Sequence, residues 1–238
     1  MATAGGTARA SCALCDRATE SQHTTTPPEL TEKTLLHAVG RLARRDRDLA
    51  RVVEEFGPPP LWAREPGFPT LVHMILEQQV SLASARAAFE RLLAAAGSPL
   101  RPEHFLEFDA RQLKRIGFSR QKTEYCRLLA ERVLAGKTNF DGIAESHDDD
   151  ARAALVEIKG VGAWTADVYL LMALRRPDAW PAGDLALAKA AQRVKRLRKL
   201  PSPEKLETLG EAWRPWRAVA ARILWHHYLS TRAAKKSS

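Results

Sequence analysis

The chain has 238 residues, 45% of them apolar, enough to bury one large domain or two small ones that share a core. Its 37 lysines and arginines outnumber 28 aspartates and glutamates, a formal net charge of +9 that points to a polyanionic partner, with nucleic acid the leading candidate. Three cysteines are too few, and odd in number, for a disulfide framework, and no apolar run reaches the ~18 residues that a membrane-spanning helix needs.

In chain order, residues 1–29 are rich in Ala, Thr, Ser and Gly, close with Pro27-Pro28, and are expected to form a disordered tail. The lone Cys12-Ala-Leu-Cys15 pair within it has no second pair, and neither His23 nor His37 completes a four-ligand zinc site. No signal-peptide pattern opens the sequence, so a cytoplasmic protein is expected, one that shares the compartment of DNA and is held at the nucleoid through it.

Residues 30–230 carry a helical pattern throughout. Pro58-Pro59-Pro60 and Pro66-Gly67-Phe68-Pro69 punctuate its first third. Ser81 is a good N-cap, followed by Leu82, Ala85, Phe89, Leu92 and Leu93 on one face, and Gly97-Ser98-Pro99 ends that helix. A second helix is predicted over 123–134 and a shorter one over 149–158. The stretch 164–174 is apolar nearly all round and predicts a buried central helix. Another starts after Asp184 and runs towards Leu197, and the last, about 216–229, carries Trp216, Val219, Ala220, Ile223 and Leu224 at helical spacing. No stretch sustains period-2 alternation. The expectation is an all-α fold of some ten helices, with a short basic tail at 231–238.

The most informative segment is Leu155-Val-Glu-Ile-Lys159-Gly160-Val161-Gly162-Ala163-Trp164-Thr165-Ala166, part of a hairpin expected over about 151–175. A helix is predicted to end at Lys159, Gly160-Val161-Gly162 to turn tightly with positive φ, and a second helix to begin at once. The first N–H groups of that second helix, with its dipole behind them, suit a phosphate and read no sequence. Val161 is expected to tuck back between the helices. An ordinary αα-hairpin with a glycine cap has the same local pattern.

This hairpin, followed 22 residues after Gly162 by Asp184 in Pro181-Ala182-Gly183-Asp184-Leu185, resembles the helix-hairpin-helix DNA glycosylase superfamily, and within it the 3-methyladenine DNA glycosylase II branch. Ile75-Leu76-Glu77-Gln78-Gln79-Val80-Ser81 resembles the loop that fills the gap left by a flipped base. Leu113-Lys-Arg-Ile-Gly117-Phe118 and Lys122 resemble the second helical pair, and Trp213-Arg-Pro-Trp216-Arg217 with Trp225 resembles the closing helix. The likeness spans roughly 60–230. It implies two helical subdomains with the active-site cleft between them, a single chain acting as a monomer, and duplex DNA containing damaged bases as partner.

The resemblance implies Asp184 as the catalytic carboxylate, stabilising an oxocarbenium-like sugar or orienting water, while the residue pattern alone makes it an N-cap; the roles are compatible. Trp164, Trp225 and Tyr228 are the implied base-pocket residues, by stacking and cation–π attraction, with the core as the alternative for the tryptophans. The branch often has a tyrosine one turn after Trp164, and Val168 stands there, which leaves the base range open. Gln79 and Ser81, the hairpin residues Lys159, Gly160, Val161, Gly162 and Thr165, and Arg120 and Lys122 are the implied DNA contacts. Lys159, Arg120 and Lys122 taken singly also read as solvated surface, and Gln79 as a buried polar residue bonded to backbone. The lysine that forms a Schiff base in bifunctional relatives is replaced by Trp164, so water is the expected nucleophile and no lyase activity is expected. No cysteine follows Cys126, so the four-cysteine iron–sulfur cluster of some relatives is not expected; a monovalent cation at the hairpin is the one ion implied. Three alternatives stay open: a glycosylase for uracil, hypoxanthine or an oxidised purine, a non-catalytic hairpin module, and an all-α interaction domain.

Overall fold

The computed structural model describes residues 29–237 together with Met1. The expected N-terminal tail, with Cys12, Cys15 and His23, lies outside the described residues but for its two ends. Among the described residues the chain is all helical, with thirteen α-helices, one 3₁₀ turn and no strand.

The first two helices meet at Asp46. Helix α1 (Glu32–Arg45) opens at Thr31, whose hydroxyl and that of Thr34 cap each other's backbone N–H groups. It buries Leu35, Ala38, Val39 and Leu42. Asp46 ends α1 and caps α2 (Arg47–Phe56), accepting from the N–H groups of Asp48 and Leu49. The same carboxylate accepts from Lys195 Nζ at 3.0 Å and Trp213 Nε1 at 2.8 Å. Burial alone would raise its pKa, but the bonds from Trp213 and Lys195 hold it below the usual carboxylate value.

The remaining helices sort into two packed groups. One is α3 (Phe68–Glu77), α4 (Leu82–Ala96), α5 (Pro102–Glu107), α6 (Ala110–Ile116), α7 (Arg120–Leu134), α8 (Phe140–Glu145), α9 (Asp148–Val156) and α10 (Ala163–Met172). Here α3 packs on α4, α7 and α10, α7 on α5 and α6, and α9 on α8 and α10. The other joins α1 and α2 to α11 (Leu185–Val194), α12 (Pro203–Gly210), the 3₁₀ turn Glu211–Trp213 and α13 (Arg217–Ser237), with α13 packed on α1, α2 and α11. The two-subdomain expectation therefore holds, and the first and last helices belong to one subdomain.

Arg222 rivets the groups. It is fully buried and donates to the carbonyls of Leu61, Ala218 and Leu171 at 2.9, 3.1 and 2.7 Å. Carbonyl dipoles satisfy the guanidinium, and burial pushes its pKa down to about 10. Across the molecule the Tyr169 hydroxyl accepts from the Gly67 N–H at 2.7 Å, fixing the entry of α3 against α10. Residues Thr165 to Leu171 of α10 are all buried, as its apolar circumference predicts.

Several boundaries differ from the sequence reading. Short helices of six to eight residues (α5, α6, α8, α12) hold fewer than three turns and show little periodicity. Helix α7 starts at Arg120, capped by Ser119, three residues before the expected start. Helix α9 ends at Val156, and 157–160 form turns, so the hairpin approach is longer than expected. Helix α13 continues to Ser237, so the expected basic tail extends the last helix. Leu82 is 62% exposed, leaving Ala85, Ala88 and Leu92 as the buried stripe of α4.

Candidate active site

A cleft of about 980 Å³ lies where the two subdomains meet. It is bordered by the α3–α4 loop (Gln78, Gln79, Val80), by Gln121, Lys122 and Tyr125 of α7, by the hairpin from Ile158 to Thr165, and by Asp184 at the start of α11. Each group comes from a different helix end, so the cleft exists only once both subdomains are packed.

The hairpin turns as its composition requires, with one correction. Gly160 has φ +92°, and an added Cβ would lie 2.3 Å from the Tyr125 ring, so both conformation and space demand glycine. Gly162 has φ −87° and ψ 175°, an extended conformation open to any residue, with nothing within 4 Å of a Cβ. Only the first glycine uses positive φ. Gly162 caps α10 without a side-chain bond, which leaves the first-turn N–H groups open at the rim of the cleft. Val161 is buried, as expected.

Asp184 is held by three donors. Its Oδ1 accepts from the Leu187 N–H at 2.6 Å, the capping bond, and from Trp225 Nε1 at 3.0 Å. Its Oδ2 accepts from Trp164 Nε1 at 2.8 Å. A carboxylate offers about four lone-pair sites, so one stays free on Oδ2 for a sugar or a water. N–H donors on three sides, one of them at a helix N-terminus, fix the direction of the carboxylate.

The indole N–H groups of Trp164 and Trp225, the tryptophans expected to stack on the base, hold the carboxylate. Trp164 also lines the cleft. Trp225 is 8% exposed and absent from the cleft lining, as is Tyr228. The Tyr228 hydroxyl accepts from Arg232 Nη1 at 2.9 Å, and the Arg232 guanidinium lies 5.3 Å from the centre of its ring. Trp225 is a carboxylate anchor and Tyr228 a neighbour on its helix, not walls of this cavity.

The α3–α4 loop is preformed. Gln79 is exposed with φ +57°, a left-handed backbone rare for a non-glycine residue. It is therefore not the backbone-satisfied buried polar residue that was one reading of it. Gln78, which the sequence reading passed over, donates its amide to the Gly160 carbonyl at 2.9 Å and the Thr165 hydroxyl at 3.1 Å. Thr165, expected to touch DNA, is buried and receives this bond. Ser81 caps α4 through the Ser84 N–H at 3.1 Å.

Of the three basic side chains expected to hold phosphates, Lys122 and Lys159 are engaged within the protein and Arg120 is not. Lys122 Nζ donates to the carbonyls of Leu76 and Gln78 at 2.7 and 2.8 Å, capping the end of α3, and desolvation lowers its pKa. Lys159 is exposed but pairs with Glu124 at 2.6 Å. Arg120 is exposed and forms no ion pair among the described residues. Those residues hold no cluster of three or more His, Cys, Asp or Glu placed to bind a metal, and no helix is long and apolar enough to cross a membrane. Cys126 is fully buried, which pushes its thiol pKa far up and leaves it unreactive.

A glycine hairpin, a helix-capping aspartate and the α3–α4 loop border one cleft. The family model described as HhH-GPD superfamily base excision DNA repair protein matches residues 72–215, and the chain belongs to that superfamily. The chain is similar to the putative DNA-3-methyladenine glycosylase YfjP of Bacillus subtilis (strain 168), 26% identical over 201 residues, which cover 82% of this chain and 69% of that protein. It is likewise similar to the Schizosaccharomyces pombe 3-methyladenine DNA glycosylase Mag1 solved in complex with abasic DNA. That structure is 27% identical, has a TM-score of 0.72, and the match covers 81% of this chain and 95% of that one. A DNA-3-methyladenine glycosidase from Bacillus halodurans gives a TM-score of 0.69 at 27% identity, over 85% of this chain and 93% of that one.

Proposed function

We propose that this chain is a monofunctional DNA glycosylase that releases alkylated purines of the 3-methyladenine and 7-methylguanine type from duplex DNA and leaves an abasic site. The observation that carries the reading is the three-donor grip on Asp184 inside the cleft that the hairpin borders. The similar proteins named as 3-methyladenine glycosylases support the substrate class.

The chemistry follows from charge. Alkylation of a ring nitrogen leaves the purine cationic, and the C1′–N bond breaks with its electron pair going to the base, which departs neutral. Positive charge passes to the sugar, where a fixed carboxylate stabilises it most in the transition state. A water then bonds to C1′ and gives up a proton, with the free Oδ2 site of Asp184 placed to orient it. Trp164, which lines the cleft, suits a cationic ring, an attraction of about 1 kcal/mol or more when dry. The open N–H groups after Gly162 suit a backbone phosphate. Position 164 carries no amine, so the reading includes no Schiff base.

Incubation with methylated duplex DNA and identification of the free base tests the proposal. Release of 3-methyladenine or 7-methylguanine with the strand intact is expected. Release only of uracil, hypoxanthine or an oxidised purine overturns the substrate class. DNA binding without any base release overturns the enzymatic reading, and a covalent adduct trapped by borohydride overturns the monofunctional one.

A further inference from the structure

The positive charge of this chain is not where the cleft is. Residues 41–51 and 193–199 hold ten basic side chains against two carboxylates, so nearly all of the net +9 resides in them. The fold joins the two segments. Helices α2 and α11 pack together, and Lys195 Nζ lies 3.0 Å from Asp46 and 2.6 Å from Asp48. Both carboxylates are thereby used up, Asp46 also by Trp213 and Asp48 also by Arg51.

What remains is a set of uncompensated cations. Arg44, Arg47, Arg196, Arg198 and Lys199 are exposed, and none forms an ion pair among the described residues. Like charges gathered on adjoining segments repel and weaken the folded state, so folding does not account for the concentration. The cleft rim is the opposite case, since Lys122 and Lys159 are engaged within the protein.

The patch and the cleft occupy opposite ends of one helix. Helix α11 begins at Asp184, and only Asp184, Leu185 and Ala186 of that neighbourhood border the cleft. Its ten residues carry the chain about 15 Å further before Lys195 is reached.

We infer that segments 41–51 and 193–199 form a second DNA-contacting surface, which grips the phosphates of an undamaged duplex segment while the cleft holds another. This rests on the reading of the cleft as a DNA glycosylase site. Duplex DNA carries one negative charge per ~1.7 Å of axis, so five free cations on two adjoining segments displace several condensed counterions without reading sequence. A glycosylase with two such surfaces passes between neighbouring segments without releasing both.

The test is a variant with Arg44, Arg47, Arg196, Arg198 and Lys199 all changed to Gln, beside a second in which the four arginines become Lys. Two readouts are needed. One is single-turnover base release from a duplex just long enough to fill the cleft. The other is bridging of two differently labelled duplexes, read by energy transfer. The Gln variant is expected to release base from the short duplex at the wild-type rate and to lose bridging about tenfold or more, with a shallower salt dependence on undamaged DNA. The Lys variant keeps both, because a phosphate grip needs charge and not the guanidinium fork. Unchanged bridging in the Gln variant reduces the patch to a solubility surface and overturns the inference. Equal loss of short-duplex binding makes it part of the lesion footprint and overturns it too. If wild-type protein bridges duplexes but releases no base, the glycosylase reading fails while the second surface stands.

Discussion

The side-chain amide of Gln78 donates to the hydroxyl of Thr165 at 3.1 Å, and through that bond the loop that presents Gln79 is tied to the second helix of the hairpin. The companion bond to the Gly160 carbonyl, at 2.9 Å, reaches the turn itself. The α3–α4 loop and the hairpin are thus tied together, although 82 residues separate Gln78 from Gly160 in sequence.

Changing Gln78 to Ala deletes both bonds, each worth about 1 kcal/mol net. The fold should survive, and binding to a paired lesion should weaken roughly tenfold. Release from an unpaired lesion, which needs less help to leave the stack, should change little. Equal loss on paired and unpaired substrates would show that Gln78 serves the chemistry and not the opening of the duplex.

Asp184→Asn should keep folding and DNA binding and reduce base release by about 10² or more, the scale of losing a preorganised charge at the reacting centre. Trp164→Phe and Trp225→Phe each remove one N–H donor to the carboxylate while keeping an aromatic ring. Bonds to a charged group are worth about 1.5–3 kcal/mol, so each single variant should lose roughly 10- to 100-fold in single-turnover rate. Because both donors act on one carboxylate, the double variant should depart from additivity. Strict additivity would mean that the two rings act separately.

The two hairpin glycines should respond differently to alanine. Gly160→Ala meets the Tyr125 ring at 2.3 Å and a φ of +92°, and should lose about 1–3 kcal/mol of stability by thermal or urea unfolding. Gly162→Ala meets nothing within 4 Å and should unfold like the parent. Its methyl group stands at the phosphate-facing turn, so the expected loss is in DNA affinity alone.

Two histidines make stability fall on acidification below about pH 6.5. His73 stacks parallel on Phe89 at 4.4 Å, and burial lowers its pKa below 6.5; burial likewise lowers that of His227. Between the folded value and the ordinary one, the unfolded chain binds the proton more readily. Their contribution to stability is therefore complete above about pH 6.5 and declines as pH falls through that window. The unfolding midpoint should drop on acidification from pH 7 to 5, and a variant with Phe at both positions should show a flatter profile.

The sequence exposed the outline of the site better than its wiring. Asp184 could be read because a helix start has a local signature, and Trp225 because the segment around it resembles the closing helix of the family. Periodicity names the face a residue occupies, however, and not which edge of an indole turns inward, so the hydrogen bonds to Asp184 were illegible. Gln78 and Gln79 are chemically identical neighbours, and only the backbone, with φ +57° at Gln79, decides which faces out and which latches the hairpin. Lys122 read as a phosphate contact because nothing local reveals that the carbonyl end of α3, more than 40 residues earlier, ends above it.

Gln79 holds a left-handed backbone. A side chain there costs on the order of 1 kcal/mol that glycine would not incur. Replacing it with glycine should make the free protein slightly more robust to heat and, with no side chain to fill the emptied stack, a poorer repair enzyme. Selection for thermal endurance and selection for catching damage therefore pull in opposite directions at this one position.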